Sequence, residues 1–162
     1  MYYLRERKTT YQGREVEYME YDVFEKIVDE YRQKHPILFA LEQDKIPNRE
    51  QVEAFEIKQN IVLSEKYKKV LLQFGGGYFG YANLYSLDSK SDFYLLHYNK
   101  LPIEHALYIA DNGCGDRYFL QVENRACLEQ VFYFEHDTGT VHCAKYADIL
   151  EYLVEVGLKA TV

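Results

Sequence analysis

The chain changes texture once, near residue 77. Before that point apolar residues recur at helical spacing, and after it they alternate with polar ones. Phe24, Ile27, Val28 and Tyr31 fall at i, i+3, i+4 and i+7, which predicts a first helix. Asp22 and Glu25 have capping-box spacing at its start, and Pro36 lies beyond its end. Asn48, with Gln51 three residues on, predicts the start of a second helix whose inward stripe is Val52 and Phe55. Ser64 opens a third, in which Tyr67, Val70, Leu71 and Phe74 share one face. Gly75, Gly76 and Gly77 close it, because glycine accepts the left-handed backbone at a helix C-terminus.

Period-two segments follow at 78–85, 93–97, 106–110, 118–122, 131–135 and 140–144, all read as strands. Asp137-Thr138-Gly139 is a hairpin turn between the last two, with Gly139 able to take positive φ. A final helix is expected through Tyr146, Ile149, Leu150 and Leu153, ending at Gly157. Residues 1–21 alternate aromatic and polar types around Tyr11-Gln12-Gly13 and read as a hairpin or a loose arm. Strands that follow one another without helices between them pair antiparallel. The expected class is α+β, a mostly antiparallel five- to six-stranded sheet flanked by about four helices. One compact domain is expected, with 1–45 as an N-terminal arm and helix packed on a body formed by 46–162.

Composition narrows the partners. The 162 residues carry a net charge of −7, so a phosphate backbone and an anionic membrane surface are both poor matches. Seven acids between residues 102 and 137 face only Arg117 and Arg125, and seven more between 15 and 30 face only Lys26. Such a field favours a basic protein partner; a plainer role for it is solubility. The 17 Tyr and 9 Phe suit strands first and interfaces second. Three cysteines without framework spacing, no apolar signal-type stretch at the start and no run of ~18 apolar residues point to a reduced, cytoplasmic setting.

Candidate chemistry is sparse. The glycines at 75–77 follow a helix and lack a Lys-Ser/Thr pair, so they are a chain reversal and not a phosphate cradle. Asn112-Gly113-Cys114-Gly115-Asp116 is a tight turn or, alternatively, a small-ligand or cation loop. Asp111 and Asp116 would raise a Cys114 thiol and so disfavour it as a nucleophile. His136, His142 and Cys143 cluster in sequence, but His142 and Cys143 would point to opposite faces of a strand. No catalytic residue, metal or cofactor is expected. A hydrolase assembled from residues distant in sequence is a third possibility that only a closed pocket would reveal.

The order of motifs is more specific than any one of them. Ile46-Pro47 through Glu56, Ile61 through Leu71, Phe74 through Gly77, Tyr108 through Asp116, Val131 through His142 and Tyr146 through Leu153 follow in sequence. This order resembles the SMI1/KNR4 family of the SUKH superfamily over about residues 46–156. Glu53, Phe55 and Glu56 match its first helix, and Leu63, Tyr67 and Leu71 its second. Gly75 and Gly76 match the glycines that follow, Gly113, Gly115 and Asp116 a G-x-G-D-like turn, Asp137 a late hairpin, and Asp148 and Leu153 the last helix. Ser64 stands where the family usually has Pro, Phe74 where it has Asn, and its frequent strand Trp is missing. The resemblance implies a non-catalytic immunity protein that binds and neutralises a bacterial toxin, frequently a nuclease. The partner would be a basic toxin domain, with the chain itself a monomer or weak homodimer. On this reading Tyr78, Phe79, Tyr81, Asp111, Asp116, Glu135 and Asp137 are the expected contacts, held by the turns at Gly75, Gly76, Gly113, Gly115 and Gly139. The alternative class is a small-molecule or cation-binding regulatory domain using the turn near Cys114.

Overall fold

The computed structural model describes residues 7–11, 14–41 and 43–160. Strands β1 (Arg7–Tyr11) and β2 (Arg14–Tyr18) pair antiparallel as a separate hairpin. The Gln12-Gly13 turn expected between them lies outside the described residues. Helix α1 (Tyr21–Lys34) buries Phe24, Ile27 and Val28, as the spacing requires, with Tyr31 packed at the margin. Its expected capping box is not formed. The helix begins two residues earlier than that box requires, with Glu20 at the N-cap, and Asp22 Oδ1 accepts the neighbouring Val23 amide at 2.9 Å. Glu25 instead accepts from Gln73 Nε2 at 2.9 Å, which links α1 to α3.

Helix α2 (Arg49–Gln59) has the expected capping box, with Asn48 Oδ1 accepting the Gln51 amide and Gln51 Oε1 accepting the Asn48 amide. Helix α3 (Glu65–Phe74) is capped by Ser64 and buries Tyr67, Val70, Leu71 and Phe74. It ends in three consecutive positive-φ glycines, Gly75 to Gly77. A Cβ on Gly76 would come within 2.6 Å of the Ser86 side chain, so that reversal admits glycine alone.

Six strands form one antiparallel sheet in sequence order: β3 (Gly77–Phe79), β4 (Ala82–Leu84), β5 (Ala106–Asp111), β6 (Arg117–Glu123), β7 (Ala126–Glu135) and β8 (Thr140–Tyr146). Two expected strands differ. The 78–85 segment is a hairpin and not one strand, because Gly80 and Tyr81 reverse the chain. The 93–97 segment closes as a 3-10 turn at Leu95–His97, because Asn99 on the same loop replaces a strand. Its side chain donates to the Tyr108 and Leu95 carbonyls and accepts the Tyr108 amide at 2.8 Å. It thereby satisfies β5 where β4 is too short to pair.

The last helix is also shorter than its periodicity. Tyr146 ends β8, α4 spans Ile149–Tyr152, and a π-helical turn continues from Leu153 to Gly157. Asp148 caps α4 by accepting the Glu151 amide at 2.9 Å. The helices pack on one face of the sheet. The rings of Phe24, Phe74 and Phe79 meet at 5.1–6.2 Å between centroids in that core. Each such buried ring contributes roughly 1.5–3 kcal/mol from area alone.

A charged group sits inside this packing. Asp148 is 0% exposed, and its carboxylate pairs with Lys66 Nζ at 2.6 Å. The same ammonium donates to the Met19 carbonyl at 2.8 Å. Lys66→Met is expected to cost about 3 kcal/mol in chemical denaturation, because it strands a buried carboxylate. Adding Asp148→Ser, which keeps the cap and removes the charge, should recover much of that loss.

A second test concerns close backbone approach. A Cβ on Gly80 would clash with the Gly157 carbonyl, whose oxygen accepts the Tyr81 amide at 2.8 Å. Gly139 has positive φ too but nothing within 4 Å of its would-be Cβ. Gly80→Ala should therefore lower unfolding free energy by about 2–4 kcal/mol, and Gly139→Ala by about 1.

Candidate functional site

Antiparallel pairing in sequence order sends alternate turns to the same end of a sheet. The turns at Gly80-Tyr81, 112–116 and 136–139 all lie at the end where β5 and β7 finish and β6 and β8 begin. That topology brings together Tyr81, Asp111, Asp116, Glu135 and Asp137, which are scattered in sequence. Tyr78 stands on the same cross-strand row as Asp111, through Asn83, and Phe79 points to the opposite face. Tyr78 is 43% exposed on β3 with its ring against Phe93. Phe79 is 2% exposed and packs on Phe24, Phe39 and Phe74, so this expected contact belongs to the core and offers a partner no surface.

The remaining residues divide into holders and presenters. Asp116 is a holder. Its Oδ2 accepts from Tyr133 Oη at 2.6 Å and Asn112 Nδ2 at 3.0 Å, and its Oδ1 accepts the His136 amide at 2.8 Å. One carboxylate therefore ties the β5–β6 turn to the β7–β8 turn. Asp111 Oδ1 accepts from Asn83 Nδ2 and the Gly113 amide, which ties the first of these turns to β4. Gly115 lies so close beneath the His136 ring that a Cβ there would meet it at 3.1 Å. Glu135 holds the second turn from inside, accepting from Thr138 Oγ1 at 2.7 Å beside His142 Nε2 at 3.4 Å.

Asp137 and Tyr81 are presenters. Asp137 is exposed at the tip of its turn. Tyr81 is 53% exposed, with Lys159 Nζ seated 3.8 Å from its ring centroid.

Strand register adds residues that the sequence reading did not single out. Tyr108, Phe119 and Phe132 face one another across β5, β6 and β7. Asp111, Arg117, Phe134 and Val141 form the next row toward the turns. Tyr108 meets Phe119 at 5.3 Å, Phe119 stacks on Phe132 at 5.4 Å, and the Arg117 guanidinium lies 5.6 Å from the Tyr108 ring centroid. Alternation puts this aromatic row on the sheet face opposite Leu120 and Val122, which face the core. The clue in the sequence was Phe132 and Phe134 two apart, but only register shows which rings join.

The other chemical candidates do not assemble. Among the described residues no group of three or more His, Cys, Asp or Glu could hold a metal ion. Burial pushes the Cys127 thiol up to about 12, as suits a small core residue and not a nucleophile. Cys114 is exposed in a turn whose carboxylates are already engaged with amides and hydroxyls. No described helix is long and apolar enough to cross a membrane.

Two helices, a glycine reversal, an antiparallel sheet and a last helix now stand in the order that the motifs followed. Residues 46–153 match the model of the SMI1 / KNR4 family (SUKH-1). The chain belongs to the SMI1/KNR4 family. A structure described as "Crystal structure of protein from Pseudomonas syringae pv. tomato" superposes with a TM-score of 0.60 at 17% identity, covering 84% of this chain and 99% of that one. That likeness is one of fold. The share of this chain covered exceeds what residues 46–162 supply, so the superposition takes in part of the N-terminal segment. Comparison with curated proteins finds no match. Helix α1 lies outside the family match yet contributes Phe24, Ile27 and Val28 to the same core.

The Asp116 tether can be tested by pH. Hydrogen bonds from Tyr133 first, and then from the His136 amide, hold its carboxyl below the usual carboxylate range. The folded value is thus lower than the unfolded one. The stabilisation is complete above about pH 4 and is lost as pH falls through the lowered folded value. Asp116→Asn should have a lower urea midpoint than wild type at pH 7, and the gap should close progressively below about pH 4.

Proposed function

We propose that this SMI1/KNR4 protein is an immunity protein that binds and neutralises a cognate bacterial toxin without catalysis. The observation that carries the reading is the convergence of three turns at one end of the sheet, bearing Tyr81, Asp111, Glu135 and Asp137. An exposed tyrosine among fixed carboxylates suits recognition of a basic protein surface, since the ring supplies contact area and the charges supply steering. Family membership supports the same reading, because the family is of the immunity-protein type. The adjoining aromatic row with Arg117 has the composition of an interface centre. A nuclease is the partner class this charge fits best, because a phosphate-binding cleft is basic. Inhibition then follows from covering that cleft, in the cytoplasm where the toxin acts.

The turn near Cys114 gives no comparable support to a small-ligand regulator. Its carboxylates are engaged by the loop's own groups and by Asn83, Tyr133 and the His136 amide, and it lines neither the cavity beside Glu53 and Asn124 nor the one between α2 and the 86–94 loop.

Calorimetry of the chain with the toxin domain encoded by the adjacent gene tests the proposal. Binding is expected to weaken as salt rises from 0.05 to 0.5 M, since exposed charges are screened. Asp137→Lys and Tyr81→Ala should each raise Kd at least tenfold with the thermal midpoint unchanged. Loss of toxin protection in cells should track the loss of binding. Wild-type affinity in both variants would remove this end of the sheet from the interface, and failure of the pair to bind at low salt would overturn the reading.

A further inference from the structure

The turn end is acidic, but the molecule also carries a groove of the opposite sign. It runs between α2 and the 86–94 loop, beyond the open end of the β3–β4 hairpin, and encloses about 460 Å³. Phe55 on one wall, and Leu87 and Tyr94 on the other, give it an apolar floor. Lys45, Lys58 and Lys90 stand on its rim. No carboxylate among the described residues forms an ion pair with any of the three.

Asp88, the one acid among the groove's described lining residues, is held mainly by backbone amides, with a weaker attraction from the Lys45 and Lys90 charges. Asp88 accepts the Lys45 amide at 3.1 Å and the Lys90 amide at 3.0 Å, so it fixes the backbone of two rim lysines. Behind it, Ser86 Oγ donates to Asp44 Oδ2 at 2.6 Å, and the Asp88 amide donates to Ser86 Oγ at 3.3 Å. The Asp44 amide in turn donates to the Gly76 carbonyl. The wall is therefore set by a hydrogen-bonded chain that reaches the glycine reversal after α3, and its geometry exists before any ligand arrives.

We propose that this groove docks an acidic segment of a partner protein, with apolar side chains on the floor and carboxylates on the three lysines. The inference does not rest on the toxin reading. Charge complementarity selects an anionic occupant, and the apolar floor selects one with side chains between its charges. A free phosphate is a poorer fit, since the rim offers separate, flexible ammoniums and neither an arginine fork nor a nest of amides. Because the net charge of −7 repels acidic molecules at long range, the lysines act only within about 8 Å at 0.15 M salt.

The test uses the full chain, labelled with nitrogen-15, and a short synthetic peptide alternating Glu with Leu in about 0.15 M salt. Amide shifts should concentrate at residues 45–58 and 86–94. The same peptide with Gln for Glu should bind at least tenfold more weakly. The triple variant Lys45→Gln, Lys58→Gln, Lys90→Gln should lose affinity by a similar factor with its melting temperature unchanged, since all three side chains are exposed. Toxin binding by the triple variant should stay as in wild type, which separates this site from the turn end. The proposal is overturned if millimolar peptide shifts no amide in those two segments. It is equally overturned if the Gln peptide or the triple variant binds as well, or if inorganic phosphate alone displaces the peptide at equal concentration.

Discussion

The arrangement of this molecule depends on a single ammonium group. Lys66 reaches from α3 to the buried Asp148 and to the Met19 carbonyl, so one side chain joins the middle of the chain to both ends. Glu129 on β7 lies close by, its carboxyl raised by burial and partly offset by the same lysine. A buried pair of this kind adds little net stability over well-packed apolar residues. It does penalise any packing that separates the charges. α4 can start only where Asp148 meets Lys66, and the segment leading into α1 can cross only where Met19 reaches the same group. The aromatic core between α1, α3 and β3 then fills around positions already fixed.

Where ladder pairing fails, polar side chains take over the work of strands. Asn99 substitutes for a missing strand beside Tyr108, and Asp116 joins two turns that share no backbone hydrogen bond with each other. The backbone contact between Gly80 and Gly157 fastens the third turn to the last helix. The turn end is thus built of loops but held as firmly as an element, which is what a preorganised recognition surface requires.

The helices were legible because caps and periodicity agreed. Asn48 with Gln51, and Ser64 with the face from Tyr67 to Phe74, left little freedom. Misreadings arose where one rule spoke alone. Asp22 and Glu25 had capping-box spacing, but Tyr21 and Glu25 make their bonds to Gln73 across to α3, and no short-range rule can see that. The 78–85 segment alternates well enough to pass for one strand. Its reversal is required by the distant Gly157 carbonyl. Tyr146 shares helical spacing with Ile149 and Leu150, yet Asp148 between them starts the helix two residues after β8 ends. Of the site, the acids were legible as types, and Asp137 and Tyr81 as exposed candidates. Phe79 was not separable from its neighbours, because an aromatic on a short strand reads the same whether its face is wet or buried. The row from Tyr108 to Phe132 needed register, which two bulges in β5–β6 and β6–β7 pairing displace from any simple count.

The β7–β8 turn has one more consequence. Asp116 and Glu135 hold it from within, Glu135 through the Thr138 hydroxyl, while Asp137 and Gly139 at its tip are exposed, and a side chain added at Gly139 would touch nothing. Stability and surface identity are therefore carried by different residues a few positions apart. A lineage of such proteins can rewrite the tip repeatedly, trying new charges and shapes, without passing through an unfolded ancestor.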